Sequence, residues 1–231
     1  MAKVHFFYST MNAGKSTALL QSAHNYHETG NETILFIPRE DANKNSGLIK
    51  SRIGLSASAV VIDSKLKIYN YVKKELSQRK VDAILVDEAQ FLEKHHVLQM
   101  CKVCDELEIP VMCYGIRTDF RGELFEGSAT LLALADNLIE LKTVCNVCSR
   151  KATMVVRLDK NGKVITEGSK VQIGGNDVYR VLCRKHFNEA TKLLDWNLFQ
   201  DHILAPPQIV KAWPVIKELS SEARKTATPL K

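Results

Sequence analysis

The sequence predicts an α/β protein: a mainly parallel sheet with helices on both faces, plus a small metal-bound β module. Three observations predict it. Short β-branched runs alternate with amphipathic helical stretches from Val4 to Leu141. A Gly-Lys-Ser turn follows the first of those runs. Beyond Thr143 the texture changes to paired cysteines, β-branched residues and turn signals at Lys160-Asn161-Gly162 and Gly174-Gly175.

Taken in order, Val4–Tyr8 is short, β-branched and aromatic, and reads as a buried strand. Ser9–Gly14 is a turn, and Lys15–Thr29 is a helix with Ala18, Leu19 and Ala23 on one side, ended by Gly30-Asn31. Thr33–Ile37 is a second strand before Pro38. Asp41–Ser58 is polar, carries Gly47 and Gly54 and has little periodicity, which predicts a mobile surface loop. Val60–Ile62 is a short strand, and Ser64–Gln78 a helix with Leu66, Ile68, Val72 and Leu76 as its apolar positions. Ala83–Val86 reads as a central strand, Lys94–Leu107 as a helix and Val111–Tyr114 as the next strand. The loop Gly115–Gly127 leads to a helix over Ser128–Ala135 and a last strand at Leu138–Leu141. Asn188–Leu194 predicts a helix, and the tail with Pro206-Pro207 predicts partial order. The expected divisions are a nucleotide-binding α/β domain at 1–143, a β module at 144–192 and a tail at 193–231.

Composition narrows the function. The 231 residues are 45% hydrophobic and 25% charged, as in a globular protein with a real core. No apolar run is long enough to span a bilayer, and Met1-Ala2-Lys3-Val4-His5 enters a strand-like run without a secretory signal. These readings predict a cytoplasmic protein with no membrane partner. The net charge of +6 comes from 32 basic against 26 acidic residues. That surplus suits phosphate chemistry, and no basic block marks a nucleic-acid footprint. Six cysteines in such a compartment read as thiols or metal ligands. Cys101, Cys104 and Cys113 lie in apolar surroundings and read as small core residues, while His24, His27, His95 and His96 read mostly as surface.

The strongest local signal is Ser9-Thr10-Met11-Asn12-Ala13-Gly14-Lys15-Ser16-Thr17 between a strand and a helix. It matches G-x-x-x-x-G-K-[ST], except that Ser9 stands at the first glycine. The chemistry requires backbone N–H groups around phosphate oxygens at a helix N-terminus, with a lysine reaching the outer phosphates. Gly14 allows close approach, Lys15 supplies charge, and the Ser16 hydroxyl is placed to ligate Mg²⁺. Ser9 fills its position only if its backbone angles suit a residue with a side chain. The alternative is an ordinary strand–turn–helix that happens to contain Gly-Lys-Ser.

The second half of that site is Ala83-Ile84-Leu85-Val86-Asp87-Glu88-Ala89-Gln90, an apolar strand ending in acids. Asp87 is placed to hold Mg²⁺ and Glu88 to serve as catalytic base, because an acceptor hydroxyl must lose its proton as bonding to phosphorus develops. The bland alternative is a pair of acids capping the next helix. Together the two motifs predict a P-loop, RecA-like nucleotide-binding core. Cys145-x-x-Cys148 and Cys183-x-x-His186 form two knuckles, which predict a closed, structural four-ligand Zn²⁺ site.

The combination of Ser9–Thr17, Val86–Phe91, Tyr114–Phe125, the two knuckles and Ile173–Tyr179 resembles the zinc-containing type II thymidine kinase family, in its bacterial form. The resemblance implies transfer of the γ-phosphate of Mg-ATP to the 5′-hydroxyl of thymidine, and of deoxyuridine, with Glu88 as base. It implies phosphate contacts from residues 9–17, Asp87 and Gln90. It also implies a lasso loop at about Glu167–Asp177 that holds the thymine edge through main-chain groups of Val171, Gln172, Ile173, Gly174 and Gly175, with Tyr179 following. An apolar pocket of Met11, Phe91, Ile116, Phe120 and Phe125 is implied, with Phe91 and Phe120 flanking the base. Arg52 is implied to reach phosphate oxygens, and a homotetramer is expected. Two rivals remain: a nucleic-acid-dependent ATPase with a zinc ribbon, and a nucleotide-gated switch without turnover.

Overall fold

In the computed structural model, residues 1–45, 47–170 and 178–193 are described. In chain order the first half holds β1 (Val4–Ser9), α1 (Lys15–Glu28), β2 (Thr33–Pro38), α2 (Arg39–Asn45), β3 (Leu48–Lys50), β4 (Ser56–Ser58), β5 (Val60–Ile62) and α3 (Ile68–Leu76). The chain continues through β6 (Ala83–Val86), a 3₁₀ turn at Ala89–Phe91, α4 (Lys94–Leu107), β7 (Val111–Ile116), α5 (Glu126–Leu134) and β8 (Asn137–Glu140). Then come β9 (Thr143–Val144), β10 (Lys151–Ala152), β11 (Met154–Leu158), β12 (Val164–Ile165), β13 (Tyr179–Leu182) and α6 (Arg184–Thr191).

Six strands pair in the order β5-β2-β6-β7-β1-β8, and every pairing is parallel. All residues of β2 and β6 are buried, so these strands read as unbroken apolar runs rather than alternating ones. The two faces still separate by the period of two. Ile34, Phe36, Ile84 and Val86 pack with Ile68 and Val72 of α3, Val97, Met100 and Val103 of α4, and Leu131 of α5. Leu35, Ile37, Ala83 and Leu85 pack on the other face with Leu19, Leu20 and Ala23 of α1. Burying each of these larger aliphatic side chains is worth roughly 1.5–3 kcal/mol. Helices on both faces and a parallel sheet are thus the architecture that the alternating pattern predicts.

The strand order places function. β7 separates β1 from β6, as in RecA-like cores, and the segments after all three leave the sheet at its carboxyl edge. Beyond β8 the pairing changes to antiparallel: β9 with β10, and β11 between β12 and β13. Cys145, Ala152, Val156, Val181, Leu182 and Phe187 form the small core beneath them. Met1–Thr191 pack as one compact unit.

Some boundaries differ from the sequence expectation. Asp41–Ser58 is not one loop, since α2 ends at Asn45 and β3 pairs with β4 as a hairpin. Ile49 is fully buried there against the α1-side core, with Ala42 and Ala57 beside it. Three-residue strands are too short to show periodicity, so one buried isoleucine anchors the segment unseen. The helix expected from Ser64 starts at Ile68, after a turn in which the Leu66 N–H donates to the Asp63 carbonyl. The helix expected at Ser128 starts at Glu126, and the one expected over Asn188–Leu194 is Arg184–Thr191. His96, expected at the surface, is buried: Nδ1 accepts from the Glu93 N–H at 3.3 Å and Nε2 donates to the Asp63 carbonyl at 3.2 Å.

Candidate active site

The phosphate loop leaves β1 at Ser9, whose φ is not among the positive ones, so the strand conformation accepts a side chain there. The Ser9 hydroxyl donates to the Leu141 carbonyl and ties the loop to the segment just after β8. Asn12 and Gly14 carry the left-handed angles, φ 62° and 72°, that curl the loop. Gly14 is the N-cap of α1, and its missing side chain costs nothing in that conformation. The first amides of α1 have no intrahelical acceptor and present an anion site.

Lys15 is buried, and its Nζ donates to the Thr10 carbonyl at 2.8 Å. Burial lowers its pKa, while the charges of Glu88 and Asp87 oppose that fall. The charge of Arg52, in the turn of the β3–β4 hairpin, lowers it further. The loop is also fastened to the small module. The Thr10 hydroxyl donates to the Met154 carbonyl at 3.2 Å, the Thr143 hydroxyl donates to the Asn12 carbonyl at 3.4 Å, and Met11 packs against the module core.

At the end of β6, Asp87 is 3% exposed. Burial, and then the charge of Glu88, push its carboxyl up to about 7 against hydrogen bonds from the Ser16 hydroxyl and the Glu88 N–H and the charge of Lys15. Ser16 and Asp87, on separate motifs, therefore meet. Glu88 sits at φ 47°, ψ 38°, a left-handed conformation that costs a side-chain-bearing residue roughly 1–2 kcal/mol. The turn lifts its carboxylate out of the strand beside Asp87. Gln90 is 2% exposed; its Nε2 donates to Glu88 Oε2 and its Oε1 accepts the Ile116 N–H at 3.0 Å. Its amide thus bridges Glu88 and the end of β7.

Ile116 is half-buried, Phe125 caps α5, and Phe91 meets Phe125 edge-on at 5.8 Å. Phe120 is buried under the Arg157 guanidinium, 3.9 Å from its ring centroid. Tyr179 is buried in β13, opposite Arg157 in the ladder. Val171, Gln172, Ile173, Gly174 and Gly175 lie outside the described residues. Sequence reasoning missed Asp119, which is 2% exposed. Its Oδ1 accepts the N–H groups of Arg121 and Glu123 at 2.9 and 3.0 Å, and its Oδ2 pairs with the Arg121 guanidinium. The one cue available, an acid and an arginine flanking Phe120, becomes meaningful only once the loop geometry is known.

The sulfurs of Cys145, Cys148 and Cys183 and a ring nitrogen of His186 all lie within 4.8 Å of one another. His186 Nδ1 is 3.4 Å from both Cys145 Sγ and Cys183 Sγ, and Cys148 Sγ is 4.0 Å from Cys183 Sγ. Around a tetrahedral zinc, ligand atoms stand about 3.5–3.8 Å apart given the usual Zn–S and Zn–N lengths. Burial pushes the Cys145 thiol up, yet N–H groups of Cys183 and Val147 and the His186 ring outweigh it, leaving it at about 6. The donor set fits a bound metal. By contrast Cys104 is pushed up by burial to about 12, as befits an inert core thiol.

A parallel sheet with a phosphate loop after β1, an acid pair after β6 and a Cys₃His knuckle pair define a P-loop nucleotide-dependent phosphotransferase. The thymidine kinase family model matches residues 2–187. A thymidine kinase of Rhodopirellula baltica is 53% identical over 190 residues, covering 82% of this chain and 90% of its own length. One from Ruegeria pomeroyi is 52% identical over 83% of this chain and 96% of itself, and one from Escherichia coli O157:H7 is 49% identical over 84% and 94%. The chain belongs to the thymidine kinase family. Among the described residues, no helix is long and apolar enough to cross a membrane.

Proposed function

We propose that this chain is an ATP-dependent thymidine kinase, transferring the γ-phosphate of ATP to the 5′-hydroxyl of thymidine and, by the same geometry, of deoxyuridine. The carrying observation is the convergence of Ser16, Asp87 and Glu88, with the Glu88 carboxylate held by Gln90. Lys15 and the amides of residues 10–17 bind the phosphates, and Lys15 exchanges its Thr10 carbonyl for a phosphate oxygen. Ser16 and Asp87 hold Mg²⁺, which supplies positive charge against the charge developing on the phosphates. Burial raises the Asp87 carboxyl, and a cation bound beside it would favour its ionised, ligating form. Glu88 takes the 5′-hydroxyl proton as the oxygen attacks phosphorus.

Met11, Phe91, Ile116, Phe120, Phe125 and Tyr179, with residues 171–175, form the acceptor side. Cys145, Cys148, Cys183 and His186 hold a structural Zn²⁺, which stabilises module 144–192 against the α/β domain 1–143. The protein works in the cytoplasm as a homotetramer, a reading supported by family membership rather than by any surface described above.

The test is labelled ATP with a panel of nucleosides. Phosphorylation of thymidine supports the reading, and thymidine phosphorylation by Glu88→Gln at a near-wild-type rate removes Glu88 as the base. ATP hydrolysis stimulated by DNA, with steep salt dependence, would replace the reading with a nucleic-acid-dependent ATPase. ATP binding without any nucleoside product would make the protein a switch.

A further inference from the structure

Arg157 is an unusual arginine. It lies on β11 and is 4% exposed, yet among the described residues no carboxylate pairs with it. Charges that far from water need compensation. Here the compensation is two main-chain carbonyls and a ring: Nη1 donates to the Ser169 carbonyl at 2.8 Å, Nη2 to the Glu167 carbonyl at 2.9 Å, and the guanidinium plane covers Phe120 at 3.9 Å. Its Nε is buried with no partner.

The strap is shaped to this side chain. Gly168, between the two carbonyls, has φ +117°, and a Cβ there would stand 2.6 Å from Arg157 Nη2. Only glycine lets both carbonyls turn inward. Lys170 continues the attachment, donating to the Leu124 carbonyl and pairing with Glu123 at 3.4 Å. Asp119 ties the same loop through the Arg121 and Glu123 amides, so Phe120 stands between a knotted loop and a clamped strap.

We infer that Arg157 is a positioning residue for the nucleoside: it fixes the ring of Phe120 and the strap Glu167–Ser169 as one unit facing the acceptor. This rests on the placement of Phe120 on the acceptor side in the reading above. Arg157 acts through Phe120 and the strap, not on reacting atoms. Its loss therefore weakens nucleoside binding and leaves ATP binding alone. A lysine fails to replace it, because a single ammonium has neither the two-pronged fork nor a plane to lay on the ring.

The test uses the full-length wild type, Arg157→Met and Arg157→Lys, each checked for zinc content and melting temperature. Arg157→Met is expected to raise KM for thymidine at least tenfold, with KM for ATP within twofold and kcat within threefold, and Arg157→Lys to recover less than a third of the loss. A second readout needs no turnover. The carbonyl of Glu167 belongs to the bond that a glutamate-specific protease cuts, so cleavage after Glu167 should accelerate at least tenfold in both variants. If Arg157→Met does not fold, Gly168→Ala replaces it, since at φ +117° alanine strains the strap and its methyl, 2.6 Å from Nη2, pushes the guanidinium off the carbonyls. Unchanged cleavage overturns the clamp. Faster cleavage with unchanged KM for thymidine, or with equal rises in both KM values, overturns the positioning role. A wild type that cleaves slowly but phosphorylates no nucleoside defeats the thymidine reading and leaves the clamp standing.

Discussion

Asp87 provides a prediction that sets stability against function. The perturbation is Asp87→Asn in metal-free protein held in chelator. In the fold the carboxyl is raised to about 7 from 3.8, by burial first and the Glu88 charge second. A raised acid works against the fold when ionised. Below the unfolded value both states hold the proton and the cost is absent. As pH climbs from about 4 to 7, the unfolded chain ionises freely and the folded one resists, so stability falls. Above 7 the whole penalty is present.

At about 1.4 kcal/mol per pH unit, the difference sets a ceiling of about 4 kcal/mol. Asparagine removes the charge but keeps an oxygen to accept from the Ser16 hydroxyl and the Glu88 N–H. Those bonds lose their ionic character, at about 1 kcal/mol each, which leaves roughly 2 kcal/mol in favour of the variant at pH 8. For a compact unit near 190 residues that is a rise of roughly 4–8 °C in melting temperature. Calorimetry at pH 4 and pH 8 in EDTA is the assay. The expected result is a gain at pH 8 that vanishes near pH 4, in a protein that has lost kinase activity. An Asp87→Asn protein that melts lower than wild type at pH 8 would refute the reasoning.

Gln90→Met keeps the buried volume but releases the Glu88 carboxylate; kcat should fall roughly 10- to 100-fold with KM for ATP little changed, as expected when a base loses its orientation. Steady-state kinetics check this, and a change confined to KM would show that Gln90 does not act through Glu88. Removing zinc, or making Cys183→Ser, should lower the melting temperature and loosen residues 144–193 first, because the small core there is held by four ligands. Hydrogen exchange resolved by segment reads the outcome. His96→Ala should cost about 2 kcal/mol, since it leaves the Glu93 N–H without its partner and removes one of the two donors to the Asp63 carbonyl, which keeps the Leu66 N–H; denaturant midpoints measure it.

Much of the fold was legible because long elements carry their own signals. Lys94–Leu107 was read to the residue, since fourteen positions of helical periodicity leave little freedom. The hairpin over residues 48–58 was not legible, because its burial rests on Ile49 and on tertiary contacts with α1. The same division runs through the site. Lys15, Asp87 and the metal knuckles carry chemistry that demands particular residues at particular spacings. Gln90 and Arg157 hold groups well along the chain, Ile116 and Ser169, while Asp119 knots its own loop through the Arg121 and Glu123 amides; no spacing rule distinguishes Asp119 or Arg157 from ordinary polar residues. Their burial reveals them: each is at most 4% exposed, where an unpaired polar group would be costly. Motifs therefore identify the groups that meet the phosphates, while buried polar residues outside the motifs identify how those groups are held. On the proposed reading, specificity for the nucleoside belongs to the second kind. The contacts around Phe120 come from β11 and the strap, more than thirty residues further along the chain, so no spacing rule in the phosphate-binding half could have exposed them.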